Sequence, residues 1–70
     1  MQTITFNTGN VSAYTFADDA TLTASADNIT TPSFIIGDMN SNNATIHTGV
    51  TVPDGWKGGK HTFDGSAWGN

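Results

Sequence analysis

The side chains able to do chemistry here are two histidines, five serines, six aspartates and two lysines; the chain has no cysteine, glutamate or arginine. The most suggestive spacing is Asp38-Met39-Asn40-Ser41-Asn42, which matches the D-x-N-x-N opening of a calcium loop. Such a loop next needs a glycine for its sharp bend and a bidentate glutamate at its twelfth position. Asn43 and Gly49 stand there instead. The expected alternative is an Asn-rich loop whose side chains satisfy nearby backbone groups. Asp18 and Asp19 are adjacent, so on a strand they face opposite ways and cannot work as a general acid/base couple. His47 and His61 are possible general bases, but no G-x-S-x-G elbow and no cysteine nucleophile accompanies them. A triad would have to assemble from distant residues on a very small scaffold. In Gly55-Trp56-Lys57-Gly58-Gly59-Lys60-His61-Thr62, His61 occupies the place where a phosphate loop needs Ser or Thr, and no helix follows. The sequons at Asn10, Asn28 and Asn43 carry no weight in a chain this rich in Asn, Ser and Thr. The expectation is a non-enzyme with no catalytic residue, no metal and no cofactor.

Aromatic side chains offer a different chemistry. Tyr14, Trp56 and Trp68 are able to stack on sugar rings, with Asp and Asn to hydrogen-bond hydroxyls. Against this stands the need of a small domain for its aromatics, which bury the most area per residue. The preferred expectation is core or subunit contact.

These residues must be held by strands. Thr, Ile and Val supply 20 of the 70 residues, and Gly, Asn and Asp another 21. The first group suits a pleated, half-buried surface and the second suits turns. Ile4 and Phe6 alternate with Thr3 and Thr5, the mark of a half-buried strand. Asn7-Thr8-Gly9-Asn10 is a turn, and Val11–Phe16 returns with mixed phase. A bulge near Ala13, or burial on both faces, would explain that phase. Thr21–Ser25 is the next strand, with Leu22 and Ala24 on one side. Ser33-Phe34-Ile35-Ile36, the most apolar run, is the best choice for a central strand. Ala44–Thr48 follows with Ile46 inward, and Val50 and Val52 extend the alternation. Pro53-Asp54-Gly55 is a strong turn. Lys60–Phe63 and an inward Ala67-Trp68 pair flank the turn at Asp64-Gly65. The pattern predicts one all-β domain over residues 1–70, a small antiparallel β-sandwich or barrel of six to seven short strands.

Composition narrows the function classes. A net charge of −4 opposes a phosphate backbone and an anionic membrane, so neither is an expected partner. No apolar run approaches a membrane span. The N-terminal residues lack the features of a signal peptide, so the chain is expected to be complete and made in a cytoplasm. Hydrophobic content is 36%, and a domain of this size buries only about 60% of its unfolded surface. Small domains usually add a disulfide, a metal or a partner chain. With the first two absent from the sequence, contact with other subunits remains, and a homo-oligomer is expected.

The stretch Trp56-Lys57-Gly58-Gly59-Lys60-His61-Thr62-Phe63-Asp64-Gly65-Ser66-Ala67-Trp68 resembles the ends of small structural proteins of tailed bacteriophages, notably marine phages and cyanophages. These close on a hairpin of the form W-x-G-G-K-x-x-(F/Y)-D-G-x-x-W. The resemblance covers about a quarter of the chain, counted from Val52. It implies a virion protein, foremost a capsid decoration (cement) protein bound in many copies to the outside of the major capsid shell. A freestanding chain of this length suits that role. Docking is then expected through Trp56, Phe63 and Trp68, with Lys57 and Lys60 meeting acidic shell residues, since aromatic anchors dominate interfaces. The alternative it implies is a tail-fibre or tail-spike component, or a carbohydrate-binding module, reading sugars through Tyr14, Trp56 and Trp68.

Overall fold

A computed structural model describes residues 1–69. Eight strands and no helix form among them: β1 Gln2–Phe6, β2 Ser12–Phe16, β3 Thr23–Ala24, β4 Ile29–Thr30, β5 Ile35–Ile36, β6 Ala44–His47, β7 Thr62–Phe63 and β8 Trp68–Gly69. They make three antiparallel sheets, ordered β2-β1-β6, β3-β4-β5 and β7-β8. The chain is thus all-β, with more and shorter strands than the alternation predicts.

The central strand is β1. Ile4 lies between Tyr14 of β2 and Ile46 of β6, so three apolar side chains stand abreast on one face. Thr3 and Thr5 point the other way, beside Ser12 and His47. The strand is not half-buried as its alternation implies: Thr3 and Thr5 are as inaccessible as Ile4. Both faces are covered. The β1–β2 register slips between Ile4 and Thr5, which face Tyr14 and Ser12 and leave Ala13 as the extra residue. Bulge and two-sided burial together account for the mixed phase of Val11–Phe16.

On the Ile4 face the core consists of Ile4, Ile29, Ile36, Met39 and Ala44. Ile29 and Ile36 are cross-strand partners in the second sheet, and Met39, fully buried, pins the following loop. Half-buried Phe6, Tyr14, Phe16, Leu22 and Ile46 pack around this cluster.

Ser33–Ile36 is not a central strand. Thr31–Phe34 is a hairpin turn: the Thr31 hydroxyl accepts from the Phe34 N–H at 3.0 Å and donates to the Phe34 carbonyl at 2.7 Å. Pro32 sits inside that turn, where its fixed φ fits. Only Ile35 and Ile36 are left to pair, at the sheet edge. The inner strand is Ile29–Thr30. Val50–Val52 forms no strand, although the Val50 N–H reaches the Met1 carbonyl at 2.8 Å. Ala67 is exposed while Trp68 is half-buried, so they are not an inward pair.

The radius of gyration is 11.1 Å, against about 11 Å expected for this length. The accessible surface is 4088 Å², against about 4,200 Å² for a folded monomer of this mass. Total exposure is therefore ordinary, and any argument for a partner must rest on where apolar surface lies. No helix among the described residues is long and apolar enough to cross a membrane.

Candidate functional site

The polar face of the central sheet organises the C-terminal third. Pro53-Asp54-Gly55 turns the chain, with the Trp56 N–H on the Pro53 carbonyl at 3.2 Å and Gly55 at φ 77°. This brings the Trp56 indole back to β2, where its N–H donates to Ser12 Oγ at 3.0 Å. Ser12 Oγ lies 2.6 Å from Thr3 Oγ1, which also contacts the Tyr14 carbonyl at 2.9 Å. Each hydroxyl has one hydrogen, an indole only donates and a carbonyl only accepts. The direction is therefore fixed: Trp56 donates to Ser12, Ser12 to Thr3, and Thr3 to the Tyr14 carbonyl.

Backbone bonds join the same segment to the start of β2. Gly59 N–H reaches the Ser12 carbonyl at 3.0 Å, Ser12 N–H the His61 carbonyl at 2.9 Å, and Phe63 N–H the Asn10 carbonyl at 2.9 Å. Gly58 permits this approach, since a Cβ there would lie 2.6 Å from the Ala13 carbonyl oxygen. Phe63 then packs between His47, edge-on at 5.0 Å, and Trp68 at 4.6 Å.

The residues expected at an interface have divergent environments. Phe63 is only 5% exposed and belongs to the chain's own packing. Trp56 and Trp68 are half-buried, while Lys57 and Lys60 are exposed in a tight turn between Trp56 and β7. The aromatics expected to read sugars do not share a face. Tyr14 lies on the Ile4 side with Phe16 at 6.2 Å and Phe34 at 5.8 Å. Trp56 lies across the sheet, on the side of Ser12.

The remaining chemistry-bearing groups serve local structure. Asn40 Oδ1 accepts from the N–H groups of Asn42 and Asn43, and Asn43 Oδ1 accepts from the Asn40 N–H. The Asn-rich loop is thus built on its own amides, and no group of three or more potential metal ligands occurs among the described residues. His47 Nε2 meets Thr5 Oγ1 at 3.1 Å. No serine hydroxyl bonds to a histidine among the described residues. Asp64 caps the β7–β8 hairpin, where N–H groups of Ala67 and Ser66 hold its carboxyl below the usual carboxylate range. The Asp18 carboxyl is lowered too, first by its hydrogen bond from the terminal ammonium and then by the Gly49 N–H and the ammonium charge, against some desolvation.

Two surface features were not legible in the sequence. The first is exposed apolar surface at the sheet-edge strand β5 and the turn before it: Ile35 is 63% and Phe34 44% exposed. Behind it, the rings of Tyr14, Phe16 and Phe34 form a cluster with centroids 5.8–6.2 Å apart. The second is a pair of clefts meeting at Trp68. One, of about 320 Å³, opens between Thr48–Thr51 and the β7–β8 hairpin. The other, of about 260 Å³, is lined by Pro53, Asp54, His61, Trp68 and Gly69. No family model, curated protein or solved structure matches the chain.

Proposed function

We propose that this chain is a non-catalytic subunit of a larger particle, and that the particle is a bacteriophage virion in which it serves as a capsid decoration protein. The observation that carries the assembly reading is the Phe34–Ile35 strip. Monomers scatter exposed apolar side chains singly. Here Ile35 stands exposed on a sheet edge directly after Phe34, whose half-exposed ring caps an aromatic cluster, and a neighbouring surface along β5 would cover side chain and backbone together. Docking is thus assigned to β5 and the Tyr14–Phe16–Phe34 cluster. Lys57 and Lys60 remain available to an acidic partner, and Phe63 is left to the fold. The fold itself is read as a small sandwich: the β3-β4-β5 sheet lies on the Ile4 face, and no strand among the described residues closes the two sheets into a ring.

The virion reading rests on the resemblance of the Trp56–Trp68 hairpin and on acidic, cysteine-free composition. Quantitative mass analysis of purified particles tests it. Hundreds of copies per particle support decoration, some tens or fewer move the protein to the tail, and absence from particles overturns both.

A further inference from the structure

The two clefts are not independent, because Trp68 borders both. Its indole is half-buried and braced by Phe63, with ring centroids 4.6 Å apart. A braced aromatic wall between two openings loses little conformational freedom when a ligand meets it, which favours binding. The groups around it are polar and of both kinds. Asp54 supplies an acceptor-only carboxylate to the smaller cleft. His61 supplies a donor. Its Nδ1 accepts from the Lys57 N–H at 3.3 Å, so the neutral ring carries its hydrogen on Nε2. Thr48, Thr51 and Ser66 add hydroxyls along the larger cleft.

Independently of the assembly reading, we infer that the Trp68 groove is a binding site for a neutral glycan, with one sugar unit beside Asp54 and His61 and the next running past Trp68 toward Ser66 and Thr51. A pyranose ring has an apolar face of C–H groups suited to an aromatic surface, and a rim of hydroxyls that both donate and accept. An aromatic wall with one acceptor, one donor and scattered hydroxyls matches that chemistry. Ligand pockets generally combine apolar walls with a few placed polar groups at about 300–1,000 Å³. At about 320 and 260 Å³ the clefts lie at and just below the low end of that range, the scale of single sugar units. The net charge of −4 argues for a neutral sugar over a sialylated or sulfated one.

The test is an ¹H–¹⁵N titration of the intact chain with neutral hexasaccharides of glucose, mannose and galactose, each to 10 mM, beside sialylated and sulfated counterparts. At least one neutral sugar should shift the Trp68 indole N–H signal and the amides of Asp54, His61 and Ser66, leaving the Trp56 indole signal in place. Asp54→Ala changes an exposed side chain and preserves the fold. It should weaken association about ten- to hundredfold, the effect of one hydrogen bond to a charged group. The inference is overturned if no neutral sugar shifts these signals, if the shifts map to the Tyr14 side, if only charged sugars bind, or if Asp54→Ala binds like the parent.

Discussion

Ser12→Ala probes the relay that joins the polar face of the sheet to the C-terminal segment. Ser12 is fully buried. Its hydroxyl accepts from the Trp56 indole at 3.0 Å and, by the hydrogen inventory, donates to Thr3 Oγ1 at 2.6 Å. Removing it deletes two hydrogen bonds, each worth about 0.5–1.5 kcal/mol net. It also leaves the Trp56 N–H without a protein acceptor, although that ring is only half-buried and water reaches part of it. The expected loss is about 2–3 kcal/mol. A chain of this length has only about 3.5–10 kcal/mol in total, so the change is visible even against a stable parent. Thr3→Val should cost about as much for a different reason: it strands the Ser12 donor where no water reaches. Urea unfolding at pH 7, followed by far-ultraviolet circular dichroism, measures each variant. A cycle with Trp56→Phe should show a coupling of about 1 kcal/mol, because the double variant breaks the Ser12–Trp56 bond only once. The relay is refuted if Ser12→Ala lies within about 0.5 kcal/mol of the parent, or if the two substitutions add.

Ile4→Ala, at the centre of the core, should cost about 2–5 kcal/mol, read as a clearly lowered midpoint in a thermal melt; an unchanged midpoint would mean Ile4 does not anchor the core. Gly58→Ala forces a Cβ against the Ala13 carbonyl and should lower the urea midpoint, with a loss of about 1–3 kcal/mol; an unchanged midpoint would mean the close approach is not required. Phe34→Ser with Ile35→Thr should leave the isolated chain folded, at a cost of about 1–3 kcal/mol for the two lost Phe34 ring contacts, yet abolish its attachment to stripped particles, measured by co-sedimentation; retained attachment would move docking away from β5. The Asp64 carboxyl titrates below its ordinary value of 3.8, so its contribution is complete above the unfolded value and disappears as pH falls through the lower folded one. A carbon-detected NMR titration should show that depressed midpoint, with Asp64→Asn removing this part of the acid sensitivity below about pH 4.

What could be read in the sequence was local. The turns at Asn7–Asn10, Pro53–Gly55 and Asp64–Gly65 follow from residues whose backbone preferences act over three or four positions. β1, β2 and β6 follow from alternation, and the Ala13 bulge was visible as a conflict of phase. Met39 escaped because a single apolar residue in a polar loop has no period. Ser33–Ile36 misled because hydrophobic content does not distinguish an inner strand from an edge, and Pro32 took the run's first residues into a turn. Thr3, Thr5 and Ser12 are residue types usually exposed, and only their hydrogen-bonded partners allow their burial. At the candidate site the two tryptophans were conspicuous, but their neighbours were not. Asp54 and His61 meet Trp68 only because the chain folds back along β2, and Tyr14 is separated from them by the sheet.

That fold-back changes the reason for expecting partners. A small chain without disulfides has too few apolar residues to cover both faces of a sheet with hydrocarbon. On this one the second face carries polar groups that satisfy one another, Thr3, Thr5, Ser12 and His47, and is covered by Trp56, which donates to Ser12, and by the Phe63 ring against His47. Among the described residues no buried side-chain nitrogen or oxygen lacks a partner. The ground for proposing a partner therefore narrows to β5 and the turn before it, where Phe34 and Ile35 are exposed. If the isolated chain is stable as a monomer, that result removes only the argument from a small core. Docking through the β5 edge requires that substituting those two side chains change attachment without changing the fold.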